Sequence, residues 1–562
     1  METHSHPIYA FSDRLVDGLA ELFPTRATYL GIAGFDDRWD DRSPDGSAQV
    51  ADYLRSALNQ LAQLPEPRDR WERRAIRATE QSLADELRFY GDGEYLRDLN
   101  NVASPPQDYR DVFDQMPAST AEDWGAIASR LDGLRAALEL YRASLEMGRA
   151  RGTTAARRQV RAVIDQCATI AGDRSYFAGL AQAFEGAGIS DDSLARRIGA
   201  GATRARAAYG ELADYLEASY LPDARPGDAV GTERYVAAAR RFLGTTVKPR
   251  EVYEWGWSEV GRLLERMRIV AGQIEPGASL SETADILKSE RAPMAADPEG
   301  LAEFAQARLD EAVEHLDGTH FDVPASIREV TVRISPPGGA LGAYYVGPSE
   351  DFTRRGCVWF TVPDNSPVPL YDQVTTTYHE GFPGHHLQVG TQMATRDHLS
   401  RYQRTMMWYS GTGEGWALYA EQLMDDLGYL DRPEYVFGLL TAQMLRACRV
   451  VIDIGVHTGL AIPTKQPFHP GEMWSFETAV DMLMEYATLD RAYAESEVTR
   501  YLGWPGQAIS YKVGERAINE ARDAAGRRAG STFDLKAFHA QVLELGPVGL
   551  DLFEELTASA MF

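Results

Sequence analysis

Apolar residues recur at three- and four-residue intervals along most of this chain, the spacing that lays an apolar stripe down one face of a helix. Near the N-terminus Leu15, Val16, Leu19, Leu22 and Phe23 form such a stripe, with Ser12 as the expected N-cap and Pro24 as the expected stop. Similar patterns predict long helices at about 121–150, 155–186, 190–218 and 248–274, the last carrying Val260, Leu263, Leu264 and Met267. Core packing is the plain explanation for each stripe, and no internal repeat or low-complexity tract interrupts the series.

The period changes near residue 320. Val330 to Ile334 alternates as a half-buried strand does, Ser335–Gly339 (SPPGG) reads as a turn, and Gly342–Val346 and Cys357–Val362 read as further strands. A small antiparallel sheet within a helical protein is expected here. From about 370 the pattern is helical again. The fold class is therefore mainly α, with a functional boundary near 320 between a helical N-terminal region, 1–320, and a catalytic region, 321–562.

Composition narrows the function classes. The 562 residues hold 57 Lys+Arg against 83 Asp+Glu, a net charge of −26. That balance opposes binding to nucleic acid or to anionic membrane surfaces, both of which need a basic face. No stretch reads as the ~20 apolar residues that span a bilayer. The opening METHSHPIYAFSDRL has neither a basic n-region nor an apolar h-region. Cys167, Cys357 and Cys448 are odd in number and far apart, which fits a reducing compartment rather than a disulfide framework. A cytoplasmic location is expected.

The chemistry concentrates at Tyr378-His379-Glu380-Gly381-Phe382-Pro383-Gly384-His385-His386-Leu387-Gln388, which holds three of the eleven histidines. A His-Glu pair followed by a second His has the residue types of the zinc-peptidase motif HExxH, in which two His ligands share a helix face and the Glu is the general base. Its spacing is too long for a regular helix. Residues six apart lie ~120° off a common face, and residues seven apart are ~10.5 Å apart along the axis. Gly381, Pro383 and Gly384 would cost a continuous helix about 5 kcal/mol. A two-residue bulge around Phe382-Pro383 would restore four-residue spacing between His379 and His385. These two are the expected ligands, and His386 is the other candidate for the second position or a residue supporting the ligands. The competing explanation is three histidines that cap and hydrogen-bond at a helix–turn–helix junction.

A third ligand is expected from Ser410-Gly411-Thr412-Gly413-Glu414-Gly415-Trp416-Ala417-Leu418-Tyr419-Ala420-Glu421. Glu414 is placed at the N-terminus of a helix, where the dipole favours a carboxylate. Glu421, seven residues on, shares its face and can orient a ligating imidazole from behind. One Zn2+ per chain on His379, His385 and Glu414 is the expected cofactor.

The strings HEGFPGHHLQ and GEGWALYAEQL, with Arg500-Tyr501-Leu502-Gly503-Trp504-Pro505-Gly506-Gln507-Ala508-Ile509-Ser510-Tyr511-Lys512, resemble the bacterial family called domain of unknown function 885. The early run LVDGLAELFPTRATYLG fits that family's opening. Gly384-His385 followed by Leu387 is more distantly similar to the thimet oligopeptidase and carboxypeptidase Taq families, which place a Glu ligand on a later helix with a second Glu two turns on, as at Glu414 and Glu421. This sequence departs from them by two residues inserted between the histidines. The resemblance implies a large helical zinc-peptidase-like fold with a deep cleft and a small sheet beside the active-site helix. It also implies that Tyr511 stabilises an oxyanion.

His457 is a second candidate donor, Arg449, Arg500 and Lys512 are candidates for holding a substrate carboxylate, Gln507 is expected to face the same way as Tyr511, and Tyr345 is a candidate for binding an extended peptide at a strand edge. The leading expectation is a zinc-dependent peptidase acting on short peptides, with Glu380 as general base. The alternatives are an esterase or small-amide hydrolase on the same site, and a binding protein with a degenerate site. Oligomeric state and cleavage position are not readable from the sequence.

Overall fold

A computed structural model describes residues 6–289, 291–335, 342–362 and 367–558. The chain is mainly helical and divides at Asp228/Ala229 into two compact units. The division does not fall near 320. Residues 229–320 join the unit that carries the candidate site, because the Pro249–Ile274 helix packs along the Pro433–Thr458 helix and the Pro298–Leu316 helix packs on strand Thr331–Ile334 and the Gln373–Glu380 helix.

The first unit is built on long helices. Thr120 and Asp123 form a capping box at the start of Ala121–Ala150, and Ile127, Leu131, Leu134, Leu138, Tyr141 and Leu145 make its buried stripe. That helix packs against Asp192–Tyr215, where Gly201 meets the Leu131 side chain directly. The expected helix at 155–186 is two, Arg157–Ala171 and Tyr176–Gly186, interrupted at Gly172. Ser12 is not a cap. The first helix runs Pro7–Leu22, the His6 side chain accepts from the Ile8 N–H, and Ser12 is buried inside the helix. Pro7 in the first turn explains the earlier start, since its missing N–H costs nothing there.

The second unit holds the sheet. Thr331–Ile334 pairs parallel with Cys357–Thr361, which pairs antiparallel with Gly342–Val346. The sheet is therefore mixed, not wholly antiparallel, with Cys357–Thr361 in the middle. Most of the expected SPPGG turn lies outside the described residues. A second antiparallel pair joins Met294–Ala295 to Val368–Pro369.

The Pro433–Thr458 helix corrects another expectation, being long and apolar enough to cross a membrane. In its most apolar window 83% of the residues are buried inside the fold, so its composition follows from its place in the core. Gly256 of the neighbouring helix meets Val450 and Val451, bringing the two backbones close. Cys167, Cys357 and Cys448 are all buried and free.

Candidate metal centre

The motif does not form one bulged helix. The Gln373–Glu380 helix ends at Glu380, and a new helix, His385–Ala394, begins at the second histidine. The Gly384 N–H donates to the Tyr378 carbonyl at 3.0 Å and the His386 N–H to the Gly381 carbonyl at 3.0 Å, closures wider than a regular helical turn. These absorb the additional residues. A side chain on Gly384 would overlap the His379 carbonyl, and one on Gly381 would overlap Leu309, so the break needs glycine at both places. The Trp416 indole donates to the Pro383 carbonyl at 2.9 Å and ties the break to the Ser410–Asp426 helix.

This geometry turns His379 and His385 together. Their rings lie 4.9 Å apart, edge to face. The Nε2 atoms of both stand 3.4 Å from Glu414 Oε2, and the three candidate ligand atoms lie within 4.8 Å of one another. Two ligands on a tetrahedral zinc at 2.0–2.1 Å are separated by about 3.3 Å. Glu414 Oε2 is itself buried with no hydrogen-bond partner among the described residues. A buried carboxylate oxygen without a donor, facing two imidazole nitrogens at one distance, fits a cation held by all three. Glu414 lies one turn inside the Ser410–Asp426 helix rather than at its first residue.

The surroundings orient these groups. His379 Nδ1 donates to Glu421 Oε1 at 2.6 Å, which leaves Nε2 to face Glu414. Thr375 donates to the other Glu421 oxygen at 2.7 Å. Burial opposes charge on His379, but its contacts with Glu414 and Glu421 outweigh burial and lift its pKa to about 9. Burial works against the Glu414 carboxylate too, yet the two histidines hold its pKa well below the ordinary range. Glu380 is half-buried; burial raises its pKa while His379 and His385 pull it back.

Tyr511 reaches the centre because two helices cross closely. A side chain on Gly514 would overlap the Gly411 carbonyl, and one on Gly415 would meet the Gly514 backbone, so the Ser510–Ala529 helix lies against Ser410–Asp426. One turn before Gly514, the Tyr511 ring stacks on His379 at 6.4 Å and 17°. Burial and the Glu414 charge raise its phenol pKa, against Arg449, Arg500 and Arg446.

Several expected site residues lie elsewhere or are already engaged. His386 donates from Nε2 to the Ile327 carbonyl at 2.7 Å and accepts at Nδ1 from the Tyr345 hydroxyl at 3.0 Å, and burial lowers its pKa to about 4. It is a neutral structural tether between helix and sheet, and Tyr345 is committed to it rather than to a peptide. His457 is fully buried, donates to the Tyr501 carbonyl at 3.0 Å and stacks on Tyr235, which places it in a cluster with Asp453 instead of with the candidate ligands. Lys512 is buried between Glu259 and Glu515 and bonds Gln443 at 2.9 Å, so its charge is neutralised within the fold. Gln507 precedes the Ser510–Ala529 helix and accepts from Arg500 at 2.8 Å, so it does not share a helix face with Tyr511. Arg500 also pairs with Glu497 at 3.1 Å, and Arg449 with Glu497 at 2.6 Å.

Sequence reasoning missed Arg446, whose guanidinium lies 5.9 Å from the Tyr511 ring centre, and Trp408, an indole 44% exposed with its ring 5.9 Å from that of His385. Arg446 lies three residues before Arg449, the one signal available for it.

A family model described as "Bacterial protein of unknown function (DUF885)" matches residues 24–556. Among solved structures, one described as a "putative lipoprotein" from Colwellia psychrerythraea is similar with a TM-score of 0.86 and 22% identity over 98% of each chain. A "putative lipoprotein of unknown function" from Shewanella oneidensis has a TM-score of 0.72 and 17% identity, over 98% of this chain and 99% of that one. At such identity both speak to the fold. No curated protein matches the chain.

Proposed function

The chain belongs to the bacterial family of unknown function matched across residues 24–556, and from that premise we propose that it is a zinc-dependent hydrolase cleaving amide bonds in short peptides. The observation that carries this reading is the orphaned Glu414 Oε2 between two imidazole nitrogens, with Glu380 and Tyr511 beside them. The proposal includes the distant kinship to thimet oligopeptidase-like and carboxypeptidase Taq-like peptidases, and a cleft that admits extended chains.

His379, His385 and Glu414 would hold the ion. Zinc bound there supplies Lewis acidity to the scissile carbonyl and lowers the pKa of the attacking water. Glu380 takes a proton from that water and returns it to the leaving amine, a task suited to a carboxyl whose pKa burial has raised. Tyr511 keeps its phenolic proton, has no hydrogen-bond partner among the described residues, and donates to the oxyanion as it forms. Glu421 and Thr375 hold the His379 ring in place throughout.

Elemental analysis of the purified protein is expected to find about one zinc per chain. Glu380→Gln is expected to keep that zinc and lose hydrolysis by about 10²-fold or more. A chain that takes up no divalent ion, or a Glu380→Gln variant with full activity, ends the reading. Faster turnover of esters or acyl amides than of any peptide would reassign the substrate class.

A further inference from the structure

The three histidines of the motif differ in what holds their rings. His379 donates from Nδ1 to Glu421 Oε1 at 2.6 Å. His386 is bonded at both nitrogens, to the Ile327 carbonyl and the Tyr345 hydroxyl. His385 turns Nε2 toward Glu414 Oε2 at 3.4 Å, yet its Nδ1 is buried with no hydrogen-bond partner among the described residues. With Nε2 serving as the ligand atom, the ring proton sits on Nδ1. A buried N–H without an acceptor is costly, and ligating imidazoles nearly always have one.

A matching acceptor stands on the same helix. Gln388 follows His385 by three residues in His385–Ala394, the spacing that sets two side chains beside one another on a helix surface. Its Nε2 donates at 3.1 Å to the carbonyl of Thr412, in the Ser410–Asp426 helix that carries Glu414. That bond decides which end of the amide is nitrogen and which is oxygen. The oxygen, Oε1, is buried and also has no partner among the described residues. A donor short of an acceptor and an acceptor short of a donor are thus neighbours beside the candidate ligand, without a direct bond between them.

We propose that Gln388 is the positioning residue for His385, accepting from its Nδ1–H across one buried water, as Glu421 accepts directly from His379. Two polar groups that are both buried and each short of one bond are what a single internal water satisfies. The two supports differ in charge. Glu421 is a carboxylate and Gln388 a neutral amide, which fixes the second ring without adding negative charge around a divalent ion. The role rests on the hydrolase reading above and adds to it what holds the second imidazole.

The test is zinc affinity of the full-length protein by chelator competition, with two substitutions that separate the ends of the amide. Gln388→Met keeps the volume and loses both ends; it is expected to weaken zinc binding by about tenfold or more. Gln388→Glu keeps an acceptor for His385 and gives up the donor to Thr412. It is expected to hold zinc at least as tightly as the unsubstituted protein. The visible spectrum of the cobalt-loaded proteins is a second readout, expected to change in Gln388→Met and to persist in Gln388→Glu. Unchanged affinity in Gln388→Met overturns the proposal. Equal losses in both variants also overturn it, since they would make Gln388 a brace to Thr412 and nothing more. Hydrolysis by the unsubstituted protein separates the two readings. Cleavage of peptides with affinity unchanged in Gln388→Met would remove the positioning role and leave the hydrolase. The expected affinities without cleavage of any peptide, ester or amide would remove the hydrolase and leave the positioning role.

Discussion

Two histidine clusters in the second unit differ in one respect that decides what each can do. Around His457, the imidazole donates to the Tyr501 carbonyl, Tyr235 donates to Asp453 at 2.8 Å, and the Gly506 N–H donates to the same Asp453 oxygen at 3.0 Å. Asp453 Oδ1 is buried without a hydrogen-bond donor among the described residues, 3.5 Å from one imidazole, that of His457. Around His379, Glu414 Oε2 likewise has no donor, but two imidazole nitrogens face it, each at 3.4 Å. The first cluster holds helices together. The second brings three ligand atoms within 4.8 Å of one another, and a protein tolerates an undonated buried oxygen where something else fills its place. Residue type does not distinguish the clusters, since each has a His, a carboxylate and a Tyr; the number of imidazoles facing the undonated carboxylate oxygen does, two at Glu414 and one at Asp453.

The sharpest break of this comparison is Glu414→Gln against His457→Gln. The first is expected to abolish zinc retention and hydrolysis together; the second is expected to retain stoichiometric zinc and lower stability by roughly 1–3 kcal/mol. Elemental analysis and urea denaturation read both, and zinc loss in a stably folded His457→Gln protein would erase the distinction.

The next effect is on pH-dependent stability. Burial raises the Asp453 pKa to about 7, despite its bonds to Tyr235 and Gly506. The folded state thus binds its proton more tightly than the unfolded chain, where an Asp titrates near 3.9. Its stabilising contribution is complete below about pH 4 and is lost as pH rises through 7, amounting to roughly 4 kcal/mol at most. Denaturation of Asp453→Asn across that range is expected to lack this part of the decline, with the zinc content unchanged.

Tyr511→Phe is expected to lower kcat by about 10²-fold with little change in KM, as for loss of one oxyanion donor. A rise in KM at unchanged kcat would make Tyr511 a substrate-binding residue instead. The smallest effect is expected from Glu421→Gln, which keeps the hydrogen-bonding shape behind His379 but removes its charge. Zinc affinity is expected to fall by about 10–100-fold in a chelator competition. Unchanged affinity would reduce Glu421 to a packing residue.

Much of this was legible beforehand for definite reasons. The structure brings His379, His385, Glu414, Glu421 and Tyr511 together from four helices; spacing accounts for Glu414 and Glu421, seven apart on one helix face, and residue type and motif for the others. Helix ends were less legible. Ser12 has the right chemistry for a cap, but Pro7 and His6 start the helix earlier. The break between the two histidine-bearing helices replaced an expected bulge: the closing hydrogen bonds reach six residues back from Gly384 to Tyr378 and five from His386 to Gly381, and Trp416, outside the motif, ties the break down. The parallel pairing of Thr331–Ile334 with Cys357–Thr361 was not visible in alternation, which is the same for either direction.

The sequence by itself determined the helical character, the family and the donor types available at the centre, because these follow from residue chemistry and local period. Tertiary structure decided which of the adjacent His385 and His386 turns toward Glu414, and whether candidate cations such as Lys512 and Arg500 are neutralised within the fold. Successive residues on a helix point about 100° apart, and whether a charge is neutralised depends on carboxylates such as Glu259 and Glu497, brought in from distant parts of the chain.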